Sequence, residues 1–128
     1  MITLVGLWEK DWLEPKLEWA IWRQLKHAFQ IDRLVMVPKL LPRVQSIDQY
    51  DTMEEALQSC EGDLIFLEPS GDHSLSFFSH PEKAVYVFGN AMMDNKRFQG
   101  LNLRIPTPQD TDLFAVSAAS IILMDRLK

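Results

Sequence analysis

Residues 83–89, KAVYVFG, hold five apolar side chains in a row between a charge and a glycine. A strand with one wet face alternates apolar and polar residues, whereas an unbroken apolar run has both of its faces covered. Similar runs recur at ITLVGLW (2–8), RLVMVP (33–38) and DLIFLEP (63–69), and LNLRIP (101–106) adds a further strand candidate. Between them lie segments with helical spacing. In EPKLEWAIWRQLKHAFQ, Pro15 takes a first-turn position, and Leu17, Ala20, Ile21, Leu25, Ala28 and Phe29 mark an apolar face. TMEEALQSC reads as a short helix with Thr52 as cap and Glu55 three residues on, the capping-box pattern. The remaining stretches read as loops: LLPRVQSIDQY, the polar turn SGDHS, the short segment LSFF, and NAMMDNKRFQG. Covered strands alternating with helices predict an α/β fold, a parallel sheet with helices on both faces.

The chain ends in IPTPQDTDLFAVSAASIILMDRLK, whose residues Leu113–Met124 carry no charge. Such a helix has apolar surroundings on several sides. Asp110 or Asp112 is the expected cap, and the small residues Ala115, Ser117, Ala118, Ala119 and Ser120 let another backbone come close. The run is shorter than the ~20 residues a membrane span requires, and the first residues lack the charged-then-apolar shape of a signal peptide. A cytoplasmic protein is expected.

With 128 residues, 47% hydrophobic and 24% charged, the chain is expected to form one domain, residues 1–128, that folds without disulfide or metal. The single cysteine, Cys60, has no partner for a disulfide or a zinc site. His27, His73 and His80 stand apart, none at ligand spacing from another, so no metal site is expected. No glycine-rich phosphate loop and no G-x-S-x-G elbow occurs. These absences leave no support for phosphate-held nucleotides or standard nucleophilic catalysis.

The net charge of −5 opposes a nucleic-acid partner, but the charge is segregated. Residues 1–43 hold seven Lys/Arg against five Asp/Glu, and residues 83–128 hold six against four, while 44–82 carry nine acids and no base. Two basic flanks around an acidic middle can form one basic face after folding. In an open parallel sheet, ligands bind at the carboxyl ends of the strands, here Trp8, Pro38, Glu68–Pro69, Gly89–Asn90 and Ile105–Pro106. Arg23, framed by Trp19, Trp22 and His27, is either a cation stacked on tryptophan or a catalytic arginine.

Three segments, in chain order, resemble the SPOUT class of S-adenosylmethionine-dependent RNA methyltransferases, in its ribose 2'-O-methylating branch. LEWAIWRQLKHAFQIDRLVMVP is similar, with about one residue of slack, to a first motif N-x-G-A-I-x-R followed by A-F-G and a strand. HPEKAVYVFGNA matches H-P-E-x-A-V-x-V-x-G-x-E without a gap, and IPTPQDTDLFAVSAASIILMDRL resembles the third motif, I-P followed by a helix that opens L-N and closes L-Y-D-R. The resemblance implies an α/β sheet whose C-terminal part is threaded into a deep trefoil knot. It also implies a homodimer packed through the first and last helices, and S-adenosylmethionine lying in the knot.

Carried over by position, the cofactor would meet Glu68, Gly89, Asn90, Ile105, Pro106, Thr107 and Leu113, and the catalytic arginine would be Arg23. Lys96, Arg97 and Arg104 would be candidate phosphate contacts on RNA, most plausibly tRNA. The sequence departs from the pattern at three places. The second-motif glutamate falls on Ala91, the third-motif asparagine on Phe114, and the first-motif asparagine near Leu17. Neither Ala91 nor Phe114 can accept a proton or orient a hydroxyl. Two readings therefore stand at this point: a minimal RNA methyltransferase, and a catalytically silent relative serving as a binding module.

Overall fold

The computed structural model describes residues 1–9, 13–42, 46–88, 98–109 and 113–128. Its centre is a wholly parallel sheet of seven strands: β1 (Ile2–Leu7), β2 (Arg33–Val37), β3 (Asp48–Gln49), β4 (Asp63–Leu67), β5 (His73–Ser74), β6 (Ala84–Val87) and β7 (Leu101–Arg104), in the order β3-β2-β1-β6-β4-β7-β5. All four residues of β6 are buried, as the unbroken apolar run requires of a strand covered on both faces. The α/β expectation holds. β3 and β5 are additions, because they fall where the sequence reads as loop and as polar turn, and two residues are too few to show a period.

Helices α1 (Pro15–Ala28) and α3 (Ala115–Arg126) cover one face, and α2 (Met53–Gln58) covers the other. The first core layer joins Trp22 and Leu25 of α1 to Leu4, Leu34, Ile65 and Tyr86 of the sheet and to Ala119, Ile122 and Leu123 of α3. The second packs Met53, Ala56 and Leu57 against Val5, Val35, Phe66, Val85 and Val87. Adjacent sheet residues thus divide between the two layers, as strand alternation dictates.

Helix ends follow local chemistry. Glu14 caps α1 by accepting the Leu17 N–H, Pro15 occupies the first turn, and Lys26 and His27 close the last turn. Thr52 accepts the Glu55 N–H at the start of α2, as the capping box predicts. α3 begins on Phe114, whose side chain makes no cap hydrogen bond; the expected caps Asp110 and Asp112 lie outside the described residues.

The buried line of α1 also differs from the expected one. It runs through Glu18, Trp22 and Leu25, whereas Leu17, Ala20 and Ala28 are exposed. A fully buried carboxylate occupies a place that a hydrophobic count assigns to an apolar residue.

The link from β4 to β5 has an unusual course. β7 lies between these two strands, and Leu67 and His73 both pair with Leu103 from opposite sides. The five residues Glu68–Asp72 therefore carry the chain across β7, a span of about 10 Å or two strand spacings.

Candidate functional site

β4, β6 and β7 end level with one another, since Phe66 pairs with Val87 and Leu67 with Leu103. Beyond these ends stand Glu68, Phe88 and Ile105. The Phe88 N–H is donated to the Val5 carbonyl at 2.8 Å, which brings the end of β1 into the same group. Glu68 donates its N–H to Leu103 at 2.9 Å, and Gly71 returns a bond to the Glu68 carbonyl at 3.1 Å, forming a turn beside β7. Ile105 and Thr107 are half-buried and Pro106 is exposed; the Thr107 hydroxyl donates to the Gln109 carbonyl. Leu113 is 37% exposed and Phe114 42%, at the start of α3.

Glu68, Ile105, Pro106 and Thr107 thus lie at carboxyl ends of neighbouring strands, as expected from the sequence. Gly89, Asn90 and Ala91 fall outside the described residues, as do Lys96 and Arg97. Such an edge offers backbone donors and acceptors together with a partly exposed apolar wall at Ile105. This composition suits a flat heteroaromatic ring recognised at its edge. Among the described residues it offers no phosphate cradle.

Arg23 lies exposed on α1, with its guanidinium carbon 4.6 Å from the centre of the Trp19 ring. Trp22 does not help to frame it: that side chain is fully buried and donates its indole N–H to Glu18 at 2.9 Å. Among the described residues Arg23 has no hydrogen bond or ion pair, so its charge is held by stacking and remains available. The Trp19 indole N–H is buried without an acceptor among the same residues. Arg104 points Nη1 at the Gly71 carbonyl, 2.9 Å away.

Two polar centres escaped the sequence reading. Glu18 accepts the Glu9 backbone N–H at 2.7 Å through one oxygen and the Trp22 indole through the other. Desolvation raises its pKa above the usual carboxylate range, and the two hydrogen bonds only partly oppose that rise.

The second centre lies at the far end of α3. Arg126 donates to the Tyr86 oxygen at 3.0 Å, His80 Nδ1 lies 2.7 Å from the same oxygen, and His80 Nε2 lies 2.8 Å from Asp125. A carboxylate only accepts and a guanidinium only donates, so Arg126 donates to Tyr86 and His80 donates through Nε2 to Asp125, while the Tyr86–His80 bond can run in either direction. Burial opposes ionisation of Asp125, but the bonds from His80 and Lys128 outweigh it and hold its pKa below the usual value. Tyr86 is pushed up by burial. His80 and Asp125 are 45 residues apart, and no spacing rule joins them.

Burial likewise raises the Cys60 thiol, which leaves it a poor nucleophile. Among the described residues no group of His, Cys, Asp and Glu has the arrangement of a metal site, and no helix is long and apolar enough to cross a membrane.

Comparison with solved structures shows that this sheet and its helices have the fold of the SpoU class of RNA methyltransferases. No sequence family model matches the chain, and no curated protein matches it. A structure concerned with 2-OH methylation of C/U34 on tRNA superposes with TM-score 0.75 at 13% identity, over 99% of this chain and 94% of the other. A Bacillus anthracis protein described as a candidate RNA methyltransferase gives 0.71 at 16% identity, over 99% and 92%. The SpoU methyltransferase AviRb from Streptomyces viridochromogenes, in complex with AdoMet, gives 0.73 at 14% identity, over 99% of this chain and 56% of that one. At such identities the likeness is one of fold.

Proposed function

We propose that this chain binds S-adenosylmethionine across the ends of β4, β6 and β7 and methylates an RNA ribose 2'-hydroxyl, with tRNA as the favoured substrate. The observation that carries this reading is the level convergence of these strand ends in a fold shared with a cofactor-bound methyltransferase. Glu68, Ile105, Pro106, Thr107 and Leu113, with Gly89 and Asn90, would hold the cofactor. When bound, it would supply a methyl group on a sulfonium, and the ribose hydroxyl would give up its proton to water. Arg23, stacked on Trp19 and without an ion pair among the described residues, is suited to orient the RNA and favour the oxyanion.

The assembly is a homodimer through α1 and α3. Leu17, Phe114, Ile121 and Met124 expose apolar surface on these helices. A groove of about 770 Å³ runs between α3 and Leu75, Ser76, Ile105 and Pro106. Exposed apolar surface of this kind marks an interaction face.

The test is calorimetric titration with S-adenosylmethionine, followed by tritiated methyl transfer into bulk tRNA. Arg23→Ala should leave cofactor affinity unchanged and lower transfer by about 100-fold. An unchanged rate would remove Arg23 from the mechanism, and no heat at millimolar cofactor would sink the cofactor-dependent reading. A second reading, a silent cofactor- or RNA-binding module, is favoured by Phe114: an exposed apolar ring without hydrogen-bonding capacity stands where the resemblance expects asparagine. Cofactor binding without transfer would decide for it.

A further inference from the structure

The Glu68–Asp72 link crosses β7 in close contact. A Cβ placed on Gly71 would stand 2.8 Å from the Leu103 carbonyl carbon, 2.9 Å from the Arg104 nitrogen and 3.0 Å from the Asn102 carbonyl carbon. Those are backbone atoms in a central strand and cannot yield, so only glycine allows the link to lie flat. Its first residue is fixed by the bond from the Glu68 N–H to Leu103. The Gly71 carbonyl is held by a side chain of the strand being crossed, through the 2.9 Å bond from Arg104 Nη1. The register agrees, since Arg104 pairs with Ser74 just past the link.

We infer that Arg104 is a positioning residue, a latch whose guanidinium fastens the Glu68–Asp72 link onto β7 and fixes the backbone wall between the ends of β4 and β7. A charged donor on a half-buried carbonyl makes a stronger bond than a neutral pair, and the planar fork of arginine loses little freedom in making it. The consequence for ligand binding rests on the proposed cofactor site, because Glu68 begins the link and Ile105 follows Arg104. A wall already held in place spares the ligand the cost of ordering it.

Amide hydrogen exchange of the full chain without ligand tests the latch directly, and titration with S-adenosylmethionine tests its consequence. Arg104→Gln should speed exchange in residues 70–72 by about tenfold, the equivalent of one hydrogen bond, while leaving β1 and β2 unchanged. Arg104→Lys should restore part of the protection, and it carries the comparison if the Gln variant fails to fold. Cofactor affinity should fall by about tenfold in Arg104→Gln.

Unaltered exchange in 70–72 overturns the latch, whether or not the cofactor binds. Faster exchange with unaltered affinity overturns its role in the cofactor wall. Faster exchange in a protein whose wild type takes up no S-adenosylmethionine upholds the latch and defeats the cofactor reading.

Discussion

Glu18 and Asp125 are both acids held by hydrogen bonds, yet their surroundings drive them in opposite directions. Both oxygens of Glu18 accept from N–H groups, so the geometry suits the carboxylate, while full burial penalises its charge. Its folded pKa is raised, so the ionised group opposes folding at neutral pH. That opposition fades as the pH falls through the raised value toward the ordinary one near ~4.3. Glu18→Gln removes the titrating charge and should abolish this rise in stability between pH 7 and the ordinary carboxylate range, measured by urea denaturation. Asp125 is the reverse case. Its folded pKa is lowered, so its contribution is complete above the ordinary value near ~3.9 and is lost as the pH falls through the lowered one. Asp125→Asn should cost about 1 kcal/mol at pH 7, and its stability should converge with wild type only at pH below the ordinary aspartate value. Convergence at higher pH would contradict this assignment. Neither centre was legible in the sequence. A glutamate at helical spacing reads as a solvated charge, and a contact between His80 and Asp125 exists only once β6 and α3 have packed.

α3 shows the same division at the scale of an element. Its existence follows from composition, but its start does not: the helix opens on Phe114, whose side chain makes no cap. Phe114→Asn should raise stability by about 1 kcal/mol by capping the first turn, measured as an increased thermal midpoint. The same variant supplies the asparagine that the SPOUT resemblance expects, so a gain in methyl transfer would support the enzyme reading. An unchanged or lowered midpoint would show that ring contacts of Phe114 outweigh the cap. α1 was legible as a helix through its proline and its spacing, yet its buried line was misassigned, because Trp22 and Glu18 enter the core as a hydrogen-bonded pair. β3 and β5 could not be read from two residues each. They exist because neighbouring strands offer a free edge of donors and acceptors.

At the scale of the whole molecule, the proposed dimer rests on the exposed face of α3. The proposed dimer predicts a sedimentation mass twice that of the chain at micromolar concentration. Met124→Glu, which sets a charge on the apolar stripe, should shift it to the monomer with little change in far-ultraviolet circular dichroism. A monomeric wild type would contradict the proposal, as would a Met124→Glu dimer of undiminished affinity.

The sequence alone determined the parallel sheet with two covered faces and the three helices, and it pointed to the carboxyl edge at which ligand binding is proposed. These follow from local periodicity and from the carboxyl-end rule. Only the tertiary structure decided that β7 inserts between β4 and β5, that Glu68–Asp72 crosses it on Gly71, and that Arg104 turns back to hold the link. Those contacts depend on where residues distant in the chain meet, and local spacing along a sequence does not encode that.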